Sequence, residues 1–379
     1  MGPLSGIRVI EMAGIGPCPF AGMMLADMGA EVLQVDRPGG VPQPFAIPIA
    51  RDVMARGRRS LALDLKQPAA VATLLDLCAS ADVLIEGFRP GVMERLGLGP
   101  DACLARRTQL VYGRMTGWGQ QGPLAPTAGH DINYLSISGV LHAIGRSDAP
   151  PTPPINLVAD YGGGGVMLVV GVLAALLEAR RSGKGQVVDA AMVDGASLLM
   201  TMFHGLRAAG LWEDRRGSNL IDTGSYFYDV YETRDGRFVS LGALEPKFFA
   251  DFLHRAGLDP AEFPQDDSTQ WPRLKQRLQE VFRQRTRDEW TALFDGSDAC
   301  VAPVLSMGEA AEHPHNVARG GFVSAFGVTQ PAPAPRFSRT PSAVRQPPRE
   351  IGCDTRAALA DWGIAAQRID ELVRSKAIP

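Results

Sequence analysis

The chain reads as α/β: a large domain built on an open parallel sheet flanked by helices, accompanied by a smaller α+β domain. Three observations predict this. Its 379 residues exceed the usual single-domain size, so two domains are expected. Over residues 1–190, short β-type runs alternate with helical patterns, the signature of parallel strands joined by crossover helices. Beyond about residue 200 the alternation stops, and two short β-type runs flank Asp235-Gly236, a strong hairpin signal.

In order, Ile7 to Met12 is a strand, Phe20 to Met28 a helix and Glu31 to Asp36 a second strand. Ser60 to Asp64 and Asp82 to Ile85 bracket a helix over Ala69 to Ser80, and Gln109 to Tyr112 adds a strand. Val166 to Leu177 is the most apolar stretch, and Glu178 follows it at once. Those twelve residues are too few to span a bilayer, so a buried helix is expected, ending at Gly183 or Gly185. Gln186 to Val193 then returns as a strand or buried segment.

The smaller domain has its hairpin at Phe227–Glu232 and Arg237–Leu241, helices near 247–256, 272–284 and 287–294, and a strand at Cys300–Leu305. Pro331 to Pro348 reads as an extended strap and 354–374 as a terminal helix. The expected division is 1–190 for the large domain, completed by 325–379, and 216–315 for the small one. Linkers are expected at 191–215 and 316–350.

Composition sets the outer bounds. Apolar residues make up 45% and charged residues 21%, ordinary globular values. A net charge of −3 gives no reason to invoke nucleic acid or an anionic membrane, so any phosphate must be met by a local basic cluster. The five cysteines are scattered, with no CxxC or Cys/His cluster. That argues against a zinc site or a disulfide framework and fits a reducing cytoplasm. The N-terminus lacks the charged-then-apolar pattern of a secretory signal, and the C-terminal SKAIP is not a peroxisomal SKL signal.

Gly14-Ile15-Gly16 after the first strand, with Asp36 closing the second, superficially matches a dinucleotide fingerprint. Pro17 and Pro19 fall inside the turn, however, and remove N–H groups a pyrophosphate would need. A tight strand-to-helix turn is the better reading.

Three segments carry candidate chemistry. Gly129-His130-Asp131-Ile132-Asn133-Tyr134 precedes an apolar helical pattern. Asn156-Leu157-Val158-Ala159-Asp160-Tyr161 runs into four glycines and the apolar helix. Leu241-Gly242-Ala243-Leu244-Glu245-Pro246 leads from the hairpin into a helix. On residue type alone, His130 would pass for an ordinary histidine ahead of a helix, Asp160 for an N-cap, and Glu245 for a helix start with proline at the first position. His142, His204, His254, His313 and His315 have no comparable setting and read as structural or solvent-facing.

Taken together, GPLSGIRVIEMAGIGP (2–17), IEGFRPGVMERLGLGP (85–100), MTGWGQ (115–120), AGHDINY (128–134), SGKGQVVDAAMVDGA (182–196) and PAPRFSRT (333–340) resemble the class III CoA-transferase family. Within it they are most similar to the α-methylacyl-CoA racemase branch, and the resemblance covers essentially the whole chain. It implies a Rossmann-like large domain and an interlocked homodimer acting on an acyl-CoA thioester, with no cofactor beyond the CoA of the substrate. It also implies that His130 and Asp160 are the two proton-transfer residues, with Glu245 near the histidine and contributed by the opposite chain of the dimer. Inverting an α-carbon needs a proton taken from one face and returned to the other. A histidine and a carboxylate suit that task because they avoid the repulsion of paired carboxylates.

Asp160 ahead of the glycine run suggests bare N–H groups for an enolate oxygen. Glu245 could fix the His130 tautomer, and Asp131 could do so instead or serve in CoA or active-site hydrogen bonding. For CoA, the ends of strands offer Arg37, the backbone around Leu63, Asp64, Leu65 and Lys66, and then Gly87, Phe88, Arg89 and Arg95. Gly129, Ile132, Asn133 and Tyr134 join them from the AGHDINY segment. Arg56, Arg58 and Arg59 form a further basic cluster, and Met192, Met200 and Met202 offer an adaptable face for acyl tails. Two rival readings are a CoA-transferase with Asp160 as nucleophile and an inactive CoA-binding protein.

Overall fold

The computed structural model describes residues 1–40, 45 and 47–379. The chain divides into two compact units, one formed by 1–138, 155–199 and 315–379, the other by 139–154 and 200–314.

The first unit is organised by six parallel strands: β1 (Arg8–Met12), β2 (Glu31–Asp36), β3 (Arg58–Ala62), β4 (Val83–Glu86), β5 (Val111–Thr116) and β6 (Val187–Ala191). Their order is β3-β2-β1-β4-β5-β6, with Val9 opposite Val32 on one side and Ile10 opposite Leu84 on the other. β4 is buried throughout, and β1 at every residue but the first, as expected of parallel strands covered on both faces. Helices Pro17–Asp27 and Pro68–Cys78 each carry proline in the first turn, where its missing N–H costs nothing. Ile10, Leu33, Leu61, Leu84 and Tyr112 of the sheet pack with Leu74 and Leu77 and with Leu359, Trp362 and Leu372 from the C-terminus. The last segment of chain thus completes the core of the first.

Because strand order reverses between β1 and β4, the loops after these two strands diverge and leave a crevice at the carboxyl edge of the sheet. The segment with the glycine run lies over it as a π-helix, Leu157–Val166, continued by α-helix Met167–Ser182. The glycines are there for close approach. A Cβ on Gly163 would sit 2.6 Å from the backbone nitrogen of Ala196, and one on Gly164 would sit 3.2 Å from Pro17 Cβ. Gly195, on helix Met192–Leu199, answers Gly163 with a Cβ position 1.8 Å from its carbonyl oxygen. Glycine on both sides lets the π-helix wedge between two neighbouring helices.

Basic residues that looked like a surface cluster are structural. Arg56 pairs with Asp27 and Arg58 with Glu11, each at 2.6 Å and buried, while Arg59 reaches Asp361 at 2.9 Å. Burial pushes the Glu11 carboxyl up to about 7 despite Arg58.

The second unit carries β7 (Tyr228–Glu232), β8 (Phe238–Gly242) and β9 (Val301–Pro303) as an antiparallel sheet in that order. Gly236 turns the β7–β8 hairpin with φ 70°. Phe249, Phe252, Leu278, Phe282, Trp290 and Phe294 pack beneath the sheet.

Several boundaries differ from the sequence reading. Residues 139–154 belong to the second unit, because Arg146 bonds Asp229 at 2.7 Å and Arg216 reaches the carbonyls of His142, Arg146 and Ala149. The stretch 191–215 is not an open linker but carries helices Met192–Leu199 and Thr201–Ala208. Within 316–350 a short hairpin forms, β10 (Phe322–Ala325) with β11 (Val328–Pro331), before the extended strap. The terminal helix is two, Thr355–Asp361 and Ala366–Arg374, interrupted at Gly363 with φ 91°. The apolar run 166–177 is part of one continuous 26-residue helical stretch, Leu157–Ser182, apolar and long enough to cross a membrane by composition alone. Only half of its most apolar window is buried, and Val170 and Leu177 face outward from the single chain.

Replacing Gly163 by alanine should destabilise the first unit by about 1–3 kcal/mol, the usual cost of overpacking a tight contact. A thermal melt lowered relative to the parent chain is the expected result, and an unchanged melt contradicts the close-approach role.

Candidate active site

The crevice is built from its floor upward. Gly16 ends the β1 loop at φ 73°, ψ −122°, a backbone state that favours glycine. A Cβ there would lie 3.6 Å from Asp160 Oδ2, so the carboxylate rests against the turn that opens helix Pro17–Asp27. Asp160 is half-buried in the first turn of the π-helix, whose N-cap position is Asn156. One helical turn ahead of the aspartate, Asn156 donates from Nδ2 to Asp160 Oδ2 at 3.2 Å.

The second side is the turn 128–134. His130 is exposed at the N-cap position of helix Asp131–Ile137, and Asn133 Oδ1 accepts a bond from its backbone N–H at 3.0 Å. Tyr134 donates its hydroxyl to the Gly129 carbonyl, and its ring meets Trp118 edge-on with centroids 4.8 Å apart. A Cβ on Gly129 would fall 2.7 Å from the Tyr134 ring and one on Gly117 2.1 Å from it. These two glycines therefore make room for the tyrosine that pins the turn ahead of His130.

Asp131 joins the two sides. It is buried, and its Oδ2 accepts the backbone N–H of Ala159 at 2.9 Å and of Asp160 at 2.8 Å.

The electrostatics follow this geometry. Burial raises the Asp160 carboxyl above the ordinary range, and Asp131 adds to the rise, while the Asn156 bond and the nearby His130 charge oppose it. His130 and Asp160 thus lie within electrostatic reach of one another in the same unit. Burial, with the charges of Asp160 and Asp131, pushes the Tyr134 phenol up to about 12, and Arg89 opposes them. Arg89 therefore stands near the same cluster, on the loop after β4.

That loop is itself held from below. Glu86, fully buried at the end of β4, accepts the Phe88 N–H at 2.7 Å and the Arg114 Nε–H at 3.0 Å. Arg114 also binds Glu94 at 2.7 Å, fixing the turn between Gly87 and Arg95.

The predicted CoA residues divide clearly. Arg37 follows β2, Lys66 follows β3 and Arg89 follows β4, all on the carboxyl edge because the strands are parallel. Strands about 4.8 Å apart spread them over roughly 15 Å, the reach of an extended ligand. All three are exposed, although Arg37 turns its Nε–H to the Gly40 carbonyl. Arg95 is exposed too and folds back over Gly91. Leu63 is core, and Leu65 and Phe88 pack against that core, so these three offer backbone rather than side chains. Asp64 is occupied in its own turn, bonding the Lys66 N–H and Gln67. Gly87 is exposed, as are Ile132 and Asn133 beside His130.

Three expectations change. Gly162 to Gly165 lie inside the π-helix, where their N–H groups serve the helix, so they do not form a bare anion cradle. Of the roles expected of Asp131, the structure shows active-site hydrogen bonding, to backbone on the Asp160 side, and not orientation of the His130 ring. Met192 is buried against the glycine run, so it is packing rather than an acyl-chain surface. Asp36, which closes the second strand, is buried and accepts bonds from Ser60 at 3.0 Å and Gln34 at 3.3 Å, in keeping with a plain strand-to-helix turn rather than a dinucleotide site. Glu245 lies in the second unit, exposed at the N-cap position of helix Pro246–Ala256. Sequence reasoning gave no role to Asn156, Glu86 or Arg114; the four-residue spacing from Asn156 to Asp160 was the available signal for the first.

A doubly wound parallel sheet with an imidazole and a half-buried carboxylate near its switch point defines the class of this site. Residues 4–355 match CoA-transferase family III, and the chain belongs to that family. It is 47% identical over 374 residues to a mouse protein named alpha-methylacyl-CoA racemase, covering 97% of this chain and 96% of that one. The human protein of the same name is 44% identical over 380 residues, covering 99% and 97%. Among solved structures, a CaiB/BaiF family protein from Brucella suis superposes with a TM-score of 0.80 at 25% identity, covering 95% of this chain and 99% of its own.

Proposed function

We propose that this chain is an isomerase that interconverts (2R)- and (2S)-2-methylacyl-CoA thioesters. The observation that carries the reading is the bond from the Asp160 backbone N–H to Asp131, the residue next to His130, supported by near full-length similarity to proteins named for that reaction.

The proposed step is a two-base 1,1-proton transfer. One group removes the α-proton, the thioester carbonyl takes the electron pair as an enolate, and the other group delivers a proton to the opposite face. Two different groups can divide this work when their proton affinities are close enough for either to take or return the proton. The raised Asp160 carboxyl favours this, since a proton held more tightly by the carboxylate is closer in energy to one on imidazole. Glu245 is assigned to the ring nitrogen of His130 that faces away from substrate, reached in a homodimer from the opposite chain. Arg37, Lys66, Arg89 and Arg95 are assigned to the phosphates of CoA, along the carboxyl edge of the sheet. No cofactor is required beyond the CoA of the substrate, and a cytoplasmic homodimer acting without membrane or nucleic acid completes the reading. The exposed apolar side chains Val170, Leu177, Leu198 and Leu199 support pairing of two copies.

The rival reading is a CoA-transferase in which Asp160 attacks the thioester and becomes acylated. Deuterium uptake at the α-carbon of a single 2-methylacyl-CoA in D2O, with no acceptor acid present, is the expected result. His130→Ala and Asp160→Ala should each reduce racemisation by about 10²–10⁴-fold, the range for loss of a positioned acid or base. No deuterium uptake, together with CoA transfer to an added carboxylate, would establish the rival. CoA binding with neither activity would leave only a binding protein. Light scattering at micromolar concentration should return twice the chain mass of 40.5 kDa, and a monomer contradicts the dimer.

A further inference from the structure

We propose that Asp131 is the positioning residue that holds the two proton-transfer side chains at a fixed separation, an assignment that rests on the racemase reading above.

Asp131 directly follows His130 and is 5% exposed. A capping carboxylate ordinarily serves its own helix. This one crosses to another, and its Oδ2 takes the N–H groups of Ala159 at 2.9 Å and Asp160 at 2.8 Å. The path from one proton-transfer residue to the other is therefore a single peptide unit, one short side chain and one hydrogen bond. Among the described residues, no other hydrogen bond ties the two segments so directly. The π-helix needs the contact, because a helix of that kind leaves more N–H groups free at its start than an α-helix does.

The other oxygen, Oδ1, is buried with no hydrogen-bond partner among the described residues. The negative charge of Asp131 is thus only partly compensated, and it acts on Asp160, whose carboxyl it helps to raise. Among the described residues, His130 and Tyr134 also interact electrostatically with Asp160, and Arg89 acts on Tyr134. Of the helices packed on the glycine face, Pro17–Asp27 offers Cys18, which lies near Glu11 and Glu86, and Met192–Leu199 offers the exposed Asp194. Asp131 contributes both geometry and field.

A cap that is only structural and a positioning residue differ in what their loss does. The test compares full-length wild type, Asp131→Ala and Asp131→Asn by thermal melt and by α-deuterium exchange, with kcat, KM and pH profile measured for each enantiomer. The expected result in Asp131→Ala is a fall in kcat of about 10²-fold, the cost of displacing a reacting group by about 1 Å, with KM nearly unchanged. Asp131→Asn keeps an acceptor oxygen without the charge. Its acid limb should move to lower pH for the enantiomer whose proton Asp160 removes, because the group that raised Asp160 has been neutralised. If Asp131→Ala does not fold, Asp131→Asn alone decides through that limb. A lowered melt with wild-type kcat and an unmoved limb overturns the positioning role while leaving the racemase reading intact. Absence of exchange in the wild type overturns the racemase reading and this assignment with it.

Discussion

Two stretches of chain far apart in sequence meet through one carboxylate oxygen: Asp131 Oδ2 accepts the N–H groups of Ala159 and Asp160. The Ala159 bond is buried and the Asp160 bond partly so, and leaving these N–H groups unpaired would cost free energy. Most features of the site can be traced to it. His130 is placed because it precedes Asp131. Asp160 is placed because its own N–H is bonded. Asn156 then bonds the Asp160 carboxylate from one turn earlier.

The glycines make that bridge possible. Gly16 admits the Asp160 carboxylate to the turn after β1, and Gly163 and Gly164 let the π-helix sink between its neighbours. Gly117 and Gly129 do the same for the ring of Tyr134. In each case a missing side chain on one element makes space for a functional or pinning group on another. Strand order supplies the rest, because the reversal between β1 and β4 opens the crevice in which these elements converge.

Much of this was legible in the sequence. The strands over 31–36 and 82–85, the hairpin at Asp235-Gly236 and the helix at 287–294 follow from local pattern, and the structure has them at or within a residue or so of the expected positions. His130 and Asp160 were singled out by their motifs, and both fall at the crevice. What could not be read depends on long-range contact. Residues 139–154 look like a continuation of the large domain until Arg146 meets Asp229, which lies 83 positions away. The glycine run looks like a loop ahead of a helix, since nothing local distinguishes a loop from a π-helix whose glycines are filled by neighbours. Arg56 and Arg58 look like a ligand-binding cluster until Asp27 and Glu11 are placed against them. Periodicity records which face is apolar, and it carries no record of which distant residue will press on it.

In the proposed mechanism two unlike groups serve opposite faces of one carbon, and single-base variants test this most directly. With His130 removed, Asp160 can still take the α-proton of the enantiomer it faces and return deuterium to the same face. With Asp160 removed, His130 can do so for the other enantiomer. The prediction is that each variant exchanges one enantiomer only, with retention of configuration, and that the two variants choose opposite enantiomers. If both variants exchange the same enantiomer, or either one inverts the centre as fast as it exchanges the proton, two-base transfer is contradicted.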